Sequence, residues 1–485
     1  MGSLLPLIPI IGAIVGIFAL TMLVPLGFAW GGMDEARGAF HQAILITAGS
    51  GLAMWWSTRR FKRELQPRDG FLLVTLVWTV LPAFAMLPLW LQIPGLSATD
   101  AYFEAMSGLT ATGGTALSGL DALPQSINVW RCFLQFIGGL GVIVLAVAIL
   151  PMLGVGGTQL YKAETPGPMK DSKLTPRIAE TARGLWGVYF GLALACMLSY
   201  RAAGMSWSDA FMHMCSTVSL GGFSSHDASF GFWNSAQIEA VAIVFMLLAG
   251  ISFARYFVAW RTRSLMPLLR NIETRAYLAV IFGTTALISL YLIGHETYAD
   301  PWMALRQTAF HVVSLATTTG YSSTDYAQWP LFASLLMILL GCFAGCAGST
   351  SGGIKMVRML LLLKQTRHEL VRIVHPRAIN PVKLDGQVVP QSVISMVLAF
   401  MLVYGATMSG LTLLMLFSGL DVVTAFTAVI ASVNNIGPGL GDVGPAVNFR
   451  SLSDFQTWIC TVGMLLGRLE LLSVLVLLTP QFWRK

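Results

Sequence analysis

A short phrase recurs four times along this 485-residue chain, and it restricts the possible folds more than any other feature. The phrases are Thr110-Ala111-Thr112-Gly113-Gly114, Ser219-Leu220-Gly221-Gly222-Phe223, Thr317-Thr318-Thr319-Gly320-Tyr321 and Asn434-Asn435-Ile436-Gly437-Pro438. Their glycines Gly113, Gly222, Gly320 and Gly437 stand 109, 98 and 117 residues apart. Each phrase follows a short half-apolar stretch that opens at or near an acid: Asp100, Asp209, Asp300 and Asp421. Each precedes a polar run and then a long apolar segment. Recurrence at such a spacing marks a repeated structural unit. In the second phrase Gly221 and Gly222 compete for the register. Gly222 is preferred because Phe223-Ser224-Ser225 then aligns with Tyr321-Ser322-Ser323.

The surroundings of the phrases are those of a bilayer. Hydrophobic residues make up 55% of the chain and charged residues only 11%, against about 25% charged in soluble domains. Apolar runs near 20 residues long predict an all-α polytopic membrane protein. Ten spans are expected, at 4–28, 40–56, 70–90, 127–153, 184–200, 234–259, 275–293, 330–363, 393–418 and 452–478. The first reads as a retained span rather than a signal peptide. The chain then divides into an N-terminal two-span hairpin (1–66) and four pore units at 67–183, 184–274, 275–388 and 389–485. Basic clusters at 59–63, 162–183, 261–275, 355–383 and 484–485, with Arg68 and Arg255, hold 24 of the 30 Lys and Arg. Loops between them are mostly acidic. Positive-inside logic puts both termini in the cytoplasm and the phrases near the outer face. That alternation explains the basic loops better than nucleic-acid binding does. The six cysteines lie in or beside apolar runs and read as small core residues.

Stretches such as 100–108 and 301–314 are too short to cross about 30 Å of hydrocarbon, and so read as re-entrant helices. Four of them around one axis would turn their partially negative C-terminal ends to a common centre. The phrases would line that centre with backbone carbonyls, which replace the hydration shell of a cation. Glycine suits the close backbone approach this requires.

In these features the chain resembles the Trk/Ktr/HKT superfamily of potassium-uptake proteins, over nearly its whole length. The extra N-terminal hairpin is similar to the bacterial TrkH/TrkG branch. The resemblance implies one chain enclosing a pseudo-fourfold pore that selects potassium over sodium. Its filter positions map to Ala111, Thr112, Gly113; Leu220, Gly221, Gly222; Thr318, Thr319, Gly320; and Asn435, Ile436, Gly437. No phrase carries the TVGYG pattern of tetrameric channels, which points to looser selectivity. The resemblance further implies a homodimer in the bacterial inner membrane, with potassium as the transported ion and no organic cofactor. It also implies a separate cytosolic TrkA-type nucleotide-binding ring, docked on the basic loops 261–275 and 355–383.

Two features below the phrases bear on control. Five glycines fall within residues 341–353, including Gly345, Gly348, Gly352 and Gly353 around Ser349. They break or loosen the eighth span. One reading is close helix packing through small residues. The other is a segment obstructing the pore, similar to the intramembrane gate of the family, with Lys355 and Arg358 at the cytoplasmic mouth. Arg468 lies inside the last span, where a charge is costly and by default functional. It either projects into the pore or is tied to carbonyls of a neighbouring broken helix. Glu470, two residues on, cannot share its helix face.

Intramembrane His213 and His311 serve either proton transfer or helix packing. Gly439–Gly444 and Gly348–Lys355 approach nucleotide-binding motifs without the strand–turn–helix context those need. Two other functions stay open at this point. One is a symporter coupling potassium to protons or sodium. The other is a polytopic membrane enzyme, for which no G-x-S-G or H-E-x-x-H motif or intramembrane aspartate pair is present.

Overall fold

Apolar runs inside a bilayer fold as helices because a helix satisfies every backbone N–H and C=O within one segment. The computed structural model describes residues 5–61, 66–139, 141, 178–377 and 380–484. Among these residues five helical segments are long and apolar enough to cross a membrane: Ile8–Gly31, Arg68–Gln92, Arg183–Ala202, Ile272–Gly294 and Gln391–Phe417. The 22-residue helix Arg37–Thr58 packs along the first of them. A methyl group at Gly12 would stand 2.7 Å from the Gly51 carbonyl oxygen, so the two backbones touch directly. The only strands among the described residues are Lys383–Leu384 and Gln387–Val388, paired as a small antiparallel hairpin.

Three expected spans are interrupted. Residues 234–259 become Ala236–Ala249 and Phe253–Thr262, bent by 85°. Residues 452–478 become Asp454–Arg468 and Leu472–Leu478, bent by 101°. The eighth span is Leu331–Gly341 and Met356–Val374, with the glycine segment 342–355 between them. At the first bend the lost helix bonds are replaced by tertiary ones. The Gly250 carbonyl accepts from Cys346 N (3.2 Å), and Phe253 N donates to the Gly348 carbonyl (2.9 Å). At the second, Glu470 and Leu471 take left-handed φ values of 55° and 35°. Leu471 N then reaches back to the Leu466 carbonyl (2.8 Å) and closes the helix end. The span expected at 127–153 is described to Gly139, and most of the basic cluster 162–183 lies outside the described residues.

The four stretches before the phrases are short helices: Ala98–Leu109, Trp207–Val218, Pro301–Ala316 and Val422–Val433. At 12 to 16 residues they extend about 18–24 Å, less than a membrane. Each is capped at its N-terminus by a side-chain oxygen. Ser97 accepts from Asp100 N, Ser206 from Asp209 N, Asp300 from Trp302 N and Asp421 from Thr424 N. Such caps satisfy an orphan donor, and an acid in the first turn favours the positive helix end. The recurrent aspartates are therefore helix starts. Beyond their first turns these helices are mostly buried, the first packing into two hydrophobic clusters and the other three into one of them. Around them, residues such as Leu402 (76%) and Phe417 (86%) expose their side chains on the outer helices, where only lipid makes that favourable.

Candidate functional site

All four short helices end in the same backbone turn. Their last residues are followed by Ala111 (φ 51°), Leu220 (φ 55°), Thr318 (φ 63°) and Asn435 (φ 53°), all left-handed. The next residue turns its N–H back onto the helix: Thr112 to the Ser107 carbonyl, Gly221 to Ser216, Thr319 to Ser314 and Ile436 to Ala431, at 2.8–2.9 Å. Then comes a glycine with positive φ: Gly113 (88°), Gly222 (81°), Gly320 (83°) and Gly437 (101°). In backbone conformation Gly222, not Gly221, is thus the counterpart of the other three. Left-handed φ costs a non-glycine residue roughly 1–2 kcal/mol. Four such turns persist because the surrounding core over-determines them.

The turns join into a closed ring. A methyl group added at Gly113 would run into the carbonyl oxygen of Gly221. At Gly222 it would meet the Thr319 carbonyl, and at Gly320 the Ile436 carbonyl. At Gly437 it would lie 2.9 Å from the Thr112 carbonyl, which returns the series to the first phrase. Each glycine therefore faces the carbonyl just before the glycine of the next phrase. The ring is backed by polar side chains. Thr110 and Thr112 share a hydrogen bond (2.7 Å), as do Thr317 and Thr319 (2.7 Å). Asn435 Nδ2 donates to Thr112 Oγ1 (2.8 Å), tying the fourth phrase to the first. The second phrase has no hydroxyl of its own after Ser219. Gln135 serves it instead, donating to the Gly221 carbonyl (2.6 Å) and accepting from Phe223 N (3.0 Å). Sequence reading missed Gln135, because a lone amide in an apolar run gives no signal of its partner.

On the side of the short helices' N-termini an open pocket sits over the ring, lined by Gly113, Phe223, Gly320, Pro438, Arg131 and His226 among others. Arg131 is buried and paired with buried Glu104 (2.8 Å). Its guanidinium also donates to the Ser224 carbonyl (3.1 Å) and lies 4.4 Å from the centre of the Phe223 ring. This pair props the second phrase from behind, and it too went unread in the sequence. His226 bridges Asp121 and Asp209 at the pocket rim and stacks on Phe232 at 3.5 Å. Burial opposes its charge, yet the neighbouring carboxylates of Asp209 and Asp121 prevail and raise its pKa. For Asp121 burial likewise opposes ionisation, but the His226 bond lowers its pKa. His213 and His311 are helix-packing groups in their contacts. Each engages the carbonyl four residues back, and His213 also meets Ser224 Oγ (3.0 Å).

On the opposite side, segment 342–355 runs across the other end of the ring. Gly352 N donates to Thr318 Oγ1 (2.8 Å), and a methyl group at Gly352 would overlap the Asn434 carbonyl. Thr350 Oγ1 donates to the Val218 carbonyl at the end of the second short helix (3.1 Å). Gly345 has no room for a side chain against Ser351. Gly348 and Gly353 both take φ of 77°. Ser349 Oγ donates to the Cys346 carbonyl (2.6 Å).

Arg468 fastens this segment from below. It donates to the Thr350 carbonyl (3.3 Å) and to the carbonyls of Gly138 and Gly139, the latter at 2.7 Å. It is thus tied to backbone carbonyls of two segments. Lys355, which ends the segment, and Arg358, just beyond it, are both buried (4% and 5% exposed). The Lys355 ammonium turns back to the Ser351 carbonyl. Arg358 pairs with Glu470 (2.6 Å) beneath the Phe400 ring (4.2 Å). Glu470 thus reaches a residue 112 positions away, on the helix Met356–Val374.

The comparisons with known proteins agree over the full length. Residues 36–485 match the family model described as TrkH, cation transport protein. The Trk system potassium uptake protein TrkH of Vibrio parahaemolyticus is 44% identical over 481 residues, 99% of each chain. TrkG of Escherichia coli, also named a Trk system potassium uptake protein, is 38% identical over 474 residues, 98% of this chain and 97% of its own. The crystal structure of the potassium transporter TrkH from Vibrio parahaemolyticus superposes with a TM-score of 0.89 at 41% identity. That match covers 100% of this chain and 99% of that one.

Proposed function

The chain belongs to the TrkH family of cation transport proteins, and from that premise we propose that it carries potassium inward across the bacterial inner membrane. The family is one of transporters, so the enzyme reading is set aside. The observation that carries the proposal is the closed ring of four glycine turns, in which each glycine stands against the carbonyl of Gly221, Thr319, Ile436 or Thr112 in the next phrase.

A bare cation entering this ring exchanges water for carbonyl dipoles. The four short helices add partial negative charge at their C-terminal ends, roughly half an elementary charge each. The ring is the filter in this reading, formed by residues 111–113, 220–222, 318–320 and 435–437. Segment 342–355 is the gate and Arg468 its fastener. Ten spans in an N-terminal hairpin and four pore units would then place both termini in the cytoplasm. A homodimer and a TrkA-type nucleotide-binding ring on the basic loops complete the assembly. The names of the relatives, which are Trk system potassium uptake proteins, support the choice of ion.

Expression in a bacterium stripped of its own potassium-uptake systems tests this reading. Growth on low potassium should be restored, and rubidium uptake should rise with it. Normal membrane levels of the protein without either effect would contradict the proposal.

A further inference from the structure

One carboxylate holds the chain on both sides of residues 348–356, at Ala347 within segment 342–355 and at Val357 in the helix that follows it. Glu273 stands in the first turn of Ile272–Gly294, with 9% of its surface exposed. Its Oε1 accepts from Ala347 N (2.7 Å) on one side of the crossing and from Val357 N (3.2 Å) on the other. Residues 348–355, which run under the ring, are thus closed off by a single atom. Charge-assisted bonds of this kind are about twice as strong as neutral ones.

The start of the Glu273 helix is itself fixed from outside. Asp385, in the turn of the hairpin Lys383–Val388, accepts from Asn271 Nδ2 (2.9 Å) and Ile272 N (3.1 Å). Arg255 lies 3.7 Å from the same carboxylate. Asp385 and Gly386 take φ of 46° and 80°, the left-handed pair of a tight hairpin turn. Asp385 is exposed at its tip. A continuous chain of contacts therefore runs from an exposed turn, through Asn271 and Ile272, to the residue that clasps the loop.

We propose that Glu273 is the positioning residue of segment 342–355, and that the Asp385 turn is the handle through which events at that face set the loop's closure. The proposal rests on the reading of this segment as the gate. It deepens that reading by naming a residue that holds the gate segment in place and the turn that fixes that residue's helix.

Cys346 provides a built-in reporter, since it precedes Ala347 and is 1% exposed. The experiment uses the full chain in liposomes and follows thiol modification of Cys346 by mass spectrometry, with rubidium flux alongside. Glu273→Ala should speed Cys346 modification about tenfold, equivalent to about 1.4 kcal/mol in loop opening. Glu273→Gln keeps an acceptor oxygen and should restore most of the protection. Asp385→Ala, at the exposed tip of the turn, should speed modification about threefold, the size of effect expected for an exposed charged contact. Potassium-over-sodium discrimination should stay unchanged in all three, which general loosening of the fold would not allow.

If Cys346 stays protected in both alanine variants, the proposal is overturned. If Glu273→Ala fails to fold, Asp385→Ala decides alone. Faster modification with unchanged flux would uphold the clasp and instead remove the loop from the gating role.

Discussion

Gly113→Ser is expected to leave the protein folded in the membrane while bringing sodium flux close to potassium flux. The reason is local and steric. A Cβ at this position would stand well inside van der Waals contact of the Gly221 carbonyl. The φ of 88° adds strain of roughly 1–2 kcal/mol for any residue with a side chain. Since the helix behind Gly113 is packed and buried, the ring itself must give. The Gly221 carbonyl then moves off its place, and with it the bond it receives from Gln135. A gap on one side of the ring admits a partly hydrated ion, and discrimination by size is lost. The four positions should not respond equally. A methyl at Gly437 meets its neighbouring carbonyl at 2.9 Å, the loosest of the four. Gly437→Ala should therefore keep more selectivity than Gly113→Ser or Gly222→Ala. Competition of sodium against rubidium uptake in liposomes, at matched protein load, measures this series. Intact discrimination in Gly113→Ser would remove the first phrase from the filter.

Arg468→Ala should raise basal flux about tenfold without impairing insertion. Its guanidinium reaches three carbonyls at once, on Thr350 of the crossing segment and on Gly138 and Gly139. Hydrogen bonds to a charged donor contribute about 1.5–3 kcal/mol each, and a shift of about 1.4 kcal/mol in loop opening is already tenfold. Alanine leaves the loop attached to the second and third phrases, through Val218 and Thr318, but free of its tie to residues 138–139. Lysine restores the charge without the fork that spans several acceptors, so Arg468→Lys should fall between. Flux measured without any cytosolic partner isolates the effect. Unchanged or lower flux would show that Arg468 is structural and does not hold the loop closed.

The sequence exposed the parts of this arrangement that are local. The four phrases carry their own geometry, because a left-handed turn followed by glycine is written in consecutive residues. The acids before them mark helix starts for the same reason, Asp300 and Asp421 as caps and Asp100 and Asp209 in the first turn. The glycine break at 341–353 was visible as composition, and Arg468 as a charge in an apolar run.

What stayed hidden depends on partners distant in the chain. Glu104 and Arg131 are 27 residues apart, Gln135 and Gly221 are 86, and Arg358 and Glu470 are 112. Nothing in the neighbourhood of either partner announces the other. The burial of Lys355 and Arg358 stayed hidden because counting positive charges takes no account of the carbonyl or carboxylate that lets a charge be buried. The bends near Gly250 and Glu470 were missed for a related cause. Both lie in apolar sequence, and the helix bonds given up at Gly250 are replaced by bonds to a loop roughly a hundred residues on.

The central claim is that the four phrases form one cation site, and rubidium-soaked crystals examined by anomalous scattering test it most directly. A peak should lie on the axis between the carbonyls of Thr112, Gly221, Thr319 and Ile436, weakened by excess potassium but not by equal sodium. No peak at that position, or one that sodium displaces as readily as potassium, would contradict the account.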